Sequence, residues 1–163
     1  MRGTPYRLLQ ALLWFASLSH VLIGACLMLS PAAQRAVAGL YGAEVEWTAQ
    51  FTYILRPLGA FMFVFGLLLA AAALDPWRHR PVAYGLCGVL LLRAVQRLVL
   101  RQDIQDAFHV SPARDLGMGG LFVAEAVAIL VLLRRAGRGP AGGGRAAPPP
   151  TGSPVGGEGV GGG

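Results

Sequence analysis

The sequence predicts an all-α fold, a four-transmembrane-helix bundle with both termini cytoplasmic. Three observations predict it. The chain has 163 residues, of which 55% are hydrophobic and 13% charged, whereas a soluble domain carries about 25% charged residues. Its apolar residues gather into four runs, each near the ~20 residues that cross a bilayer core as a helix. Its arginines stand mostly at the ends of those runs, with more on one side than on the other. Helices follow because lipid offers no partner to an exposed backbone group.

The elements can be justified in order. Residues 1–7 form a basic cytoplasmic start. The first run, Leu8 to Leu29, reads "LLQALLWFASLSHVLIGACLML". It is longer than the roughly 7–15 apolar residues of a signal peptide, so it is read as a retained helix. The second run, Phe51 to Leu74, carries Pro57 in "RPLG", placed near the helix start, where a missing N–H costs little. The third spans about 82–101 and the fourth about 116–134, giving a membrane domain over residues 8–135. Residues 136–163 are rich in Gly and Pro with almost nothing to bury, which predicts a disordered cytoplasmic tail.

Charge sets the orientation. Arg2, Arg7, Arg78, Arg80, Arg134, Arg135, Arg138 and Arg145 fall on one side, which the positive-inside rule makes cytoplasmic. The other side mixes arginine with Glu44, Glu46, Asp103, Asp106 and Asp115. All 14 basic residues are Arg, which, with abundant Gly, Ala and Pro, suggests a GC-rich bacterial genome and hence a bacterial inner membrane. The net charge of +6 sits at the ends of apolar runs, favouring a bilayer over nucleic acid as partner.

The third run raises the functional question. Arg93, Arg97 and Arg101 recur every four residues in "LLLRAVQRLVL" and its continuation. That spacing turns by only ~40° per step and makes one stripe, with Gln96 beside it. An arginine at a helix centre costs about 2.5–3.5 kcal/mol on insertion scales, so the stripe should face the bundle. Glu125, the only acid inside a run, lies at a depth that suits pairing with Arg93. His20 and Arg56 complete a candidate cluster of His20, Arg56, Arg93, Gln96, Arg97 and Glu125, drawn from four helices and open to the outer side. Arg97 and Arg101 have a second option, reaching outward to Asp103, Asp106 and Glu46. If positive charge is left over, it suits a carboxylate, a lipid headgroup or a quinone carbonyl.

Other features predict structure rather than chemistry. Asp103, Asp106 and His109 are read as the surface of an outer amphipathic segment and not as a metal site. Cys26 and Cys87 lie in different runs and are read as small core residues. Gly85, Gly88, Gly117 to Gly120, Ala124 and Ala128 are read as points of close helix approach. "GMGG" lacks the GK[ST] of a phosphate loop.

A first helix, an outer loop of about 20 residues, then "LRPLGAFMFVFGLLLA" and the arginine-bearing "LLLRAVQRLVL" resemble small bacterial four-helix membrane proteins of the DoxX-like kind. The resemblance covers residues 8–133. It implies an association with quinone-dependent oxidation complexes in some members, and it transfers no catalytic residue. The expected function is a non-enzymatic accessory or structural membrane subunit without a cofactor, in a membrane complex or homo-oligomer. The alternative is a protein that binds a quinone or a small anionic or lipid ligand at the cluster, within a membrane oxidoreductase. A transporter fits less well, because four helices without an inverted repeat offer little to rock.

Overall fold

The computed structural model describes residues 3–137. The first two residues of the expected tail, Ala136 and Gly137, belong instead to the last helix; residues 138–163, with Arg138 and Arg145, and Arg2 lie outside the described residues. Six helices are present among them: α1 (Thr4–Leu29), α2 (Pro31–Tyr41), α3 (Ala49–Leu74), α4 (Arg80–Val99), α5 (Arg101–Phe108) and α6 (Pro112–Gly137). α1, α3, α4 and α6 are long and apolar enough to cross a membrane, and the fold is that of a multi-pass membrane protein. Their outward faces agree. Phe61 is 76% exposed, and Phe15, Leu22, Leu92 and Val127 also face outward, an arrangement suited to lipid and costly in water.

α1 and α3 form the tightest pair, packed antiparallel. Gln10 Nε2 donates to the Ala73 carbonyl at 3.0 Å, and Ser17 Oγ donates to the Gly66 carbonyl at 2.8 Å. A β-carbon at Gly24 would lie 2.7 Å from the Gly59 carbonyl oxygen, and one at Gly59 would lie 2.7 Å from the Gly24 carbonyl oxygen. Each contact falls seven residues from the next on both helices. A seven-residue repeat is that of a left-handed supercoil, and glycine at its steps lets the backbones meet. α4 and α6 make the second pair, joined by Leu86, Cys87, Leu90, Ala126 and Ile129 in the common core. Cys87 Sγ also approaches the Ala126 carbonyl at 3.7 Å.

The two ends of the bundle differ. At one, α3 and α4 are joined by a short turn in which Asp75 Oδ1 accepts from the Trp77 and Arg78 amides, both at 3.2 Å. At the other, α2, α5 and the segment between α2 and α3 form a cap. The Glu44 amide donates to the Phe108 carbonyl at 2.9 Å, tying the two connections together. α2 starts where Ser30 accepts from the Ala33 amide and Pro31 fixes the first helical φ. It stops at Gly42, whose φ of +68° suits glycine. Arg114 of α6 lies directly over Gly42, so a side chain there would also collide.

Four sequence expectations change. The span expected to continue to residue 101 ends at Val99. Leu100, at φ −100° and ψ 25°, interrupts the helix, and Arg101 begins α5. Pro57 lies well inside α3, because that helix starts at Ala49, capped by Thr48; the Tyr53 carbonyl therefore lacks its helical N–H partner. Much of the outer loop is the helix α2. Gly85, Gly88, Gly117, Gly119 and Gly120 have no neighbour within 4 Å of an added β-carbon. The close approaches are at Gly24, Gly59 and Gly66 instead.

Candidate functional site

The capped end of the bundle holds the candidate site. Its centre is the pair Arg93 and Arg97, one turn apart on α4. Both guanidinium groups lie over the Phe122 ring of α6, at 4.8 Å and 5.8 Å from its centroid. A cation on an aromatic face gains about 0.5–2 kcal/mol, more when desolvated. Beyond this shared contact the two differ.

Arg97 forms an ion pair with Asp115 of α6, the one salt bridge found among the described residues. Asp115 is only 2% exposed. The sequence places Asp115 on the outer side, ahead of the fourth apolar run, and pairs Glu125 with Arg93. Instead α6 starts at Pro112, before its apolar run, and carries Asp115 into its first turn. A carboxylate is favoured there by the helix dipole. Glu125 is half-buried and within electrostatic reach of Arg93, but forms no ion pair with it. Arg97 likewise does not reach out to Asp103, Asp106 or Glu46.

Arg93 thus has an aromatic partner and no carboxylate in contact. Its side chain lines an open cavity of about 240 Å³ under the cap. Arg97 and Gln34 also line it, and Leu27, Val37, Leu58 and Met62 supply much of its apolar wall. A second cleft, of about 360 Å³, shares Tyr41, Ala43, Arg93, Arg97 and Phe108 with the cavity. Gln96, exposed, lines this second cleft. The arginines therefore stand where two adjoining clefts meet at the capped end.

Gln34 was not among the expected site residues. It is 1% exposed. Its Nε2 donates to the Leu27 carbonyl at 2.7 Å and the Thr52 carbonyl at 3.4 Å, bridging the end of α1 and the start of α3. Its Oε1 is buried and accepts from no protein donor. The signal was present in sequence: Gln34, Val37 and Tyr41 recur at helical spacing between a Ser-Pro start and a Gly stop.

The remaining expected residues separate from this centre. His20 bonds its own helix, Nδ1 to the Ala16 carbonyl at 2.8 Å, and meets Phe65 edge-on at 5.5 Å. It is within electrostatic reach of Arg93 but does not line the cavity. Arg56 is exposed on α3, outside both clefts. Asp103 and Asp106 are exposed on α5, and His109 ends that helix at φ +50°. Cys26 and Cys87 are free thiols, half-buried and buried respectively. The structure thus brings together Arg93, Arg97 and Gln34, with Gln96 at the rim. No family model, no curated protein and no solved structure matches the chain.

Proposed function

We propose that this protein is a non-enzymatic membrane protein that holds a small molecule with an oxygen-rich head at Arg93, beneath the α2–α5 cap. The observation that supports it is the contrast between neighbouring arginines. Both line the same cleft, but Arg97 has a carboxylate in contact and Arg93 has none. Intramembrane ionisable groups are costly and tend to mark ligand sites. The ligand head is a carboxylate, a lipid headgroup or a quinone carbonyl, each of which accepts from a guanidinium. We place the cap on the outer face of a bacterial inner membrane, because Arg7, Arg78, Arg80, Arg134 and Arg135 gather at the opposite end.

The test is thermal unfolding of the full chain in detergent, for wild type and Arg93→Leu, with a short-chain carboxylate, an anionic lipid and a short-chain quinone added in turn. At least one should raise the melting temperature of the wild type, and Arg93→Leu should lose that rise. A ligand present at 100 times its Kd stabilises by about 2.7 kcal/mol, which such a scan resolves. No shift with any of the three overturns the reading.

A second reading is the accessory subunit, of the DoxX-like kind, docked through α4 and α6. It is favoured by a lipid-side groove of about 520 Å³ between these helices, floored in part by Gly119, Gly120 and Ala124. Small residues with open space above them suit a neighbouring helix or a second copy. Crosslinking through a cysteine placed at Gly120 tests this reading directly.

A further inference from the structure

The groove between α4 and α6 is distinct from the cleft that Arg93 lines. Small residues keep it open. Gly119, Gly120 and Ala124 line it, and an added β-carbon at either glycine meets nothing within 4 Å. Its apolar walls are bare, with Leu98 and Leu116 both exposed. Charge gathers at the capped end, where Arg97, Arg101 and Asp115 line the groove. Arg97 and Asp115 neutralise each other in their ion pair. Arg101 begins α5, just past the end of α4, and is exposed. It forms no ion pair among the described residues, with Asp103 and Asp106 of its own helix or with any other acid. The groove thus has one uncompensated cation at its mouth and hydrocarbon below.

Its depth points to the same kind of occupant. From Leu116 to Val127 it follows α6 for about 16 Å at ~1.5 Å per residue. One leaflet, half of a ~30 Å hydrocarbon core, is about 15 Å deep. Arg101, beyond the end of the α4 span, then stands at headgroup level, and a guanidinium suits phosphate geometry. A second copy of the chain fits the mouth less well. A two-fold contact through this groove presents the same surface from both sides, and so sets like charges together, which is costly. We propose that the groove holds an acyl chain of an anionic phospholipid from the leaflet at the capped end, with its phosphate on Arg101. This site stands independently of ligand binding at Arg93.

The experiment uses the full-length protein in detergent with equal amounts of dioleoyl phosphatidylglycerol and dioleoyl phosphatidylcholine, which share their chains and differ in headgroup charge. Native mass spectrometry reads which lipid the protein retains. Wild type should retain phosphatidylglycerol roughly fivefold over phosphatidylcholine, as one basic residue near a membrane surface implies. Arg101→Gln should bring that ratio near one. Arg78→Gln, an exposed arginine at the opposite end, should leave it unchanged. Gly120→Leu and Ala124→Leu each fill the groove and should reduce retention of both lipids; two such variants guard against one that fails to fold. Equal retention of the two lipids by wild type overturns the proposal. So does a preference that survives Arg101→Gln, or one that Arg78→Gln weakens as much, since the attraction is then diffuse. A preference lost in Arg93→Leu but kept in Arg101→Gln moves the lipid to the Arg93 site. Retention unchanged in both filled variants places the chain elsewhere. A wild-type dimer free of lipid that Gly120→Leu dissociates gives the groove to a second copy, and each of these three outcomes also overturns the proposal.

Discussion

The two helix pairs are built on opposite terms. α1 and α3 touch backbone to backbone, with Gly24 against Gly59 and Ser17 bonded to the Gly66 carbonyl. α4 and α6 keep open space above their own glycines and meet through apolar side chains along most of their length, with charge and an aromatic ring added at the capped end, Arg93 and Arg97 on Phe122 and Arg97 on Asp115. The first pair is a packing device in which any added volume is a collision. The second contributes both arginines to the cavity and leaves room beside itself. In a bilayer, where apolar contact with lipid is as good as contact with protein, such differences decide which helices are fixed and which surfaces stay available.

The comparison breaks most severely at Gly59. Gly59→Leu sets a side chain against the Gly24 backbone and the Leu27 β-carbon. Overpacking costs about 1–3 kcal/mol where side chains can shift, and occasionally more. Here the obstacle is backbone, so Gly59→Leu is expected to remove the folded monomer in size-exclusion and circular-dichroism measurements. Next comes Arg97→Leu, which leaves Asp115 buried without its cation. Stripping one member from a buried pair costs about 3–5 kcal/mol, and the double variant Arg97→Leu/Asp115→Leu should recover most of that loss in the unfolding midpoint. A double variant no better than Arg97→Leu alone would show that the pair is not what joins α4 to α6.

Much of this was legible in sequence, for identifiable reasons. The four spans were readable because hydrophobic content is written along one dimension. The stripe of Arg93 and Arg97 was readable because helical periodicity is too. The partner of Arg97 was not. Asp115 lies outside the apolar run, and a helix begins at its cap rather than where its apolar residues begin. α2 does not stand out by hydropathy although Ser30, Pro31 and Gly42 mark its ends, because an 11-residue helix is too short to span a bilayer. Glycines posed the hardest problem. Gly24 and Gly119 look alike in sequence, and only the register between α1 and α3 makes one indispensable and leaves the other facing open space.

Arg93 separates structural from functional arginine. Arg93→Leu removes a contact with Phe122 worth about 0.5–2 kcal/mol and strands no carboxylate in contact, so its ligand-free melting temperature should fall much less than that of Arg97→Leu. If the two variants lost equal stability, Arg93 would be as structural as Arg97, and the site would lose its centre.

The smallest effect sharpens the same contrast from the other side. Gly119 sits inside α6, about two turns from its start, and an added β-carbon there meets nothing within 4 Å. Alanine is favoured over glycine in a helix by about 1 kcal/mol. Gly119→Ala should therefore leave the melting temperature of the monomer unchanged or slightly higher, where Gly24→Ala lowers it sharply. The same variant is informative in a bilayer. A methyl group at Gly119 is harmless to a lipid chain but sits inside any helix–helix contact made through the α4–α6 groove. Fluorescence energy transfer between labelled copies that falls in Gly119→Ala, with monomer stability unchanged, would mean that the open face is occupied by a second copy. Transfer that stays the same leaves the groove to lipid or to another protein.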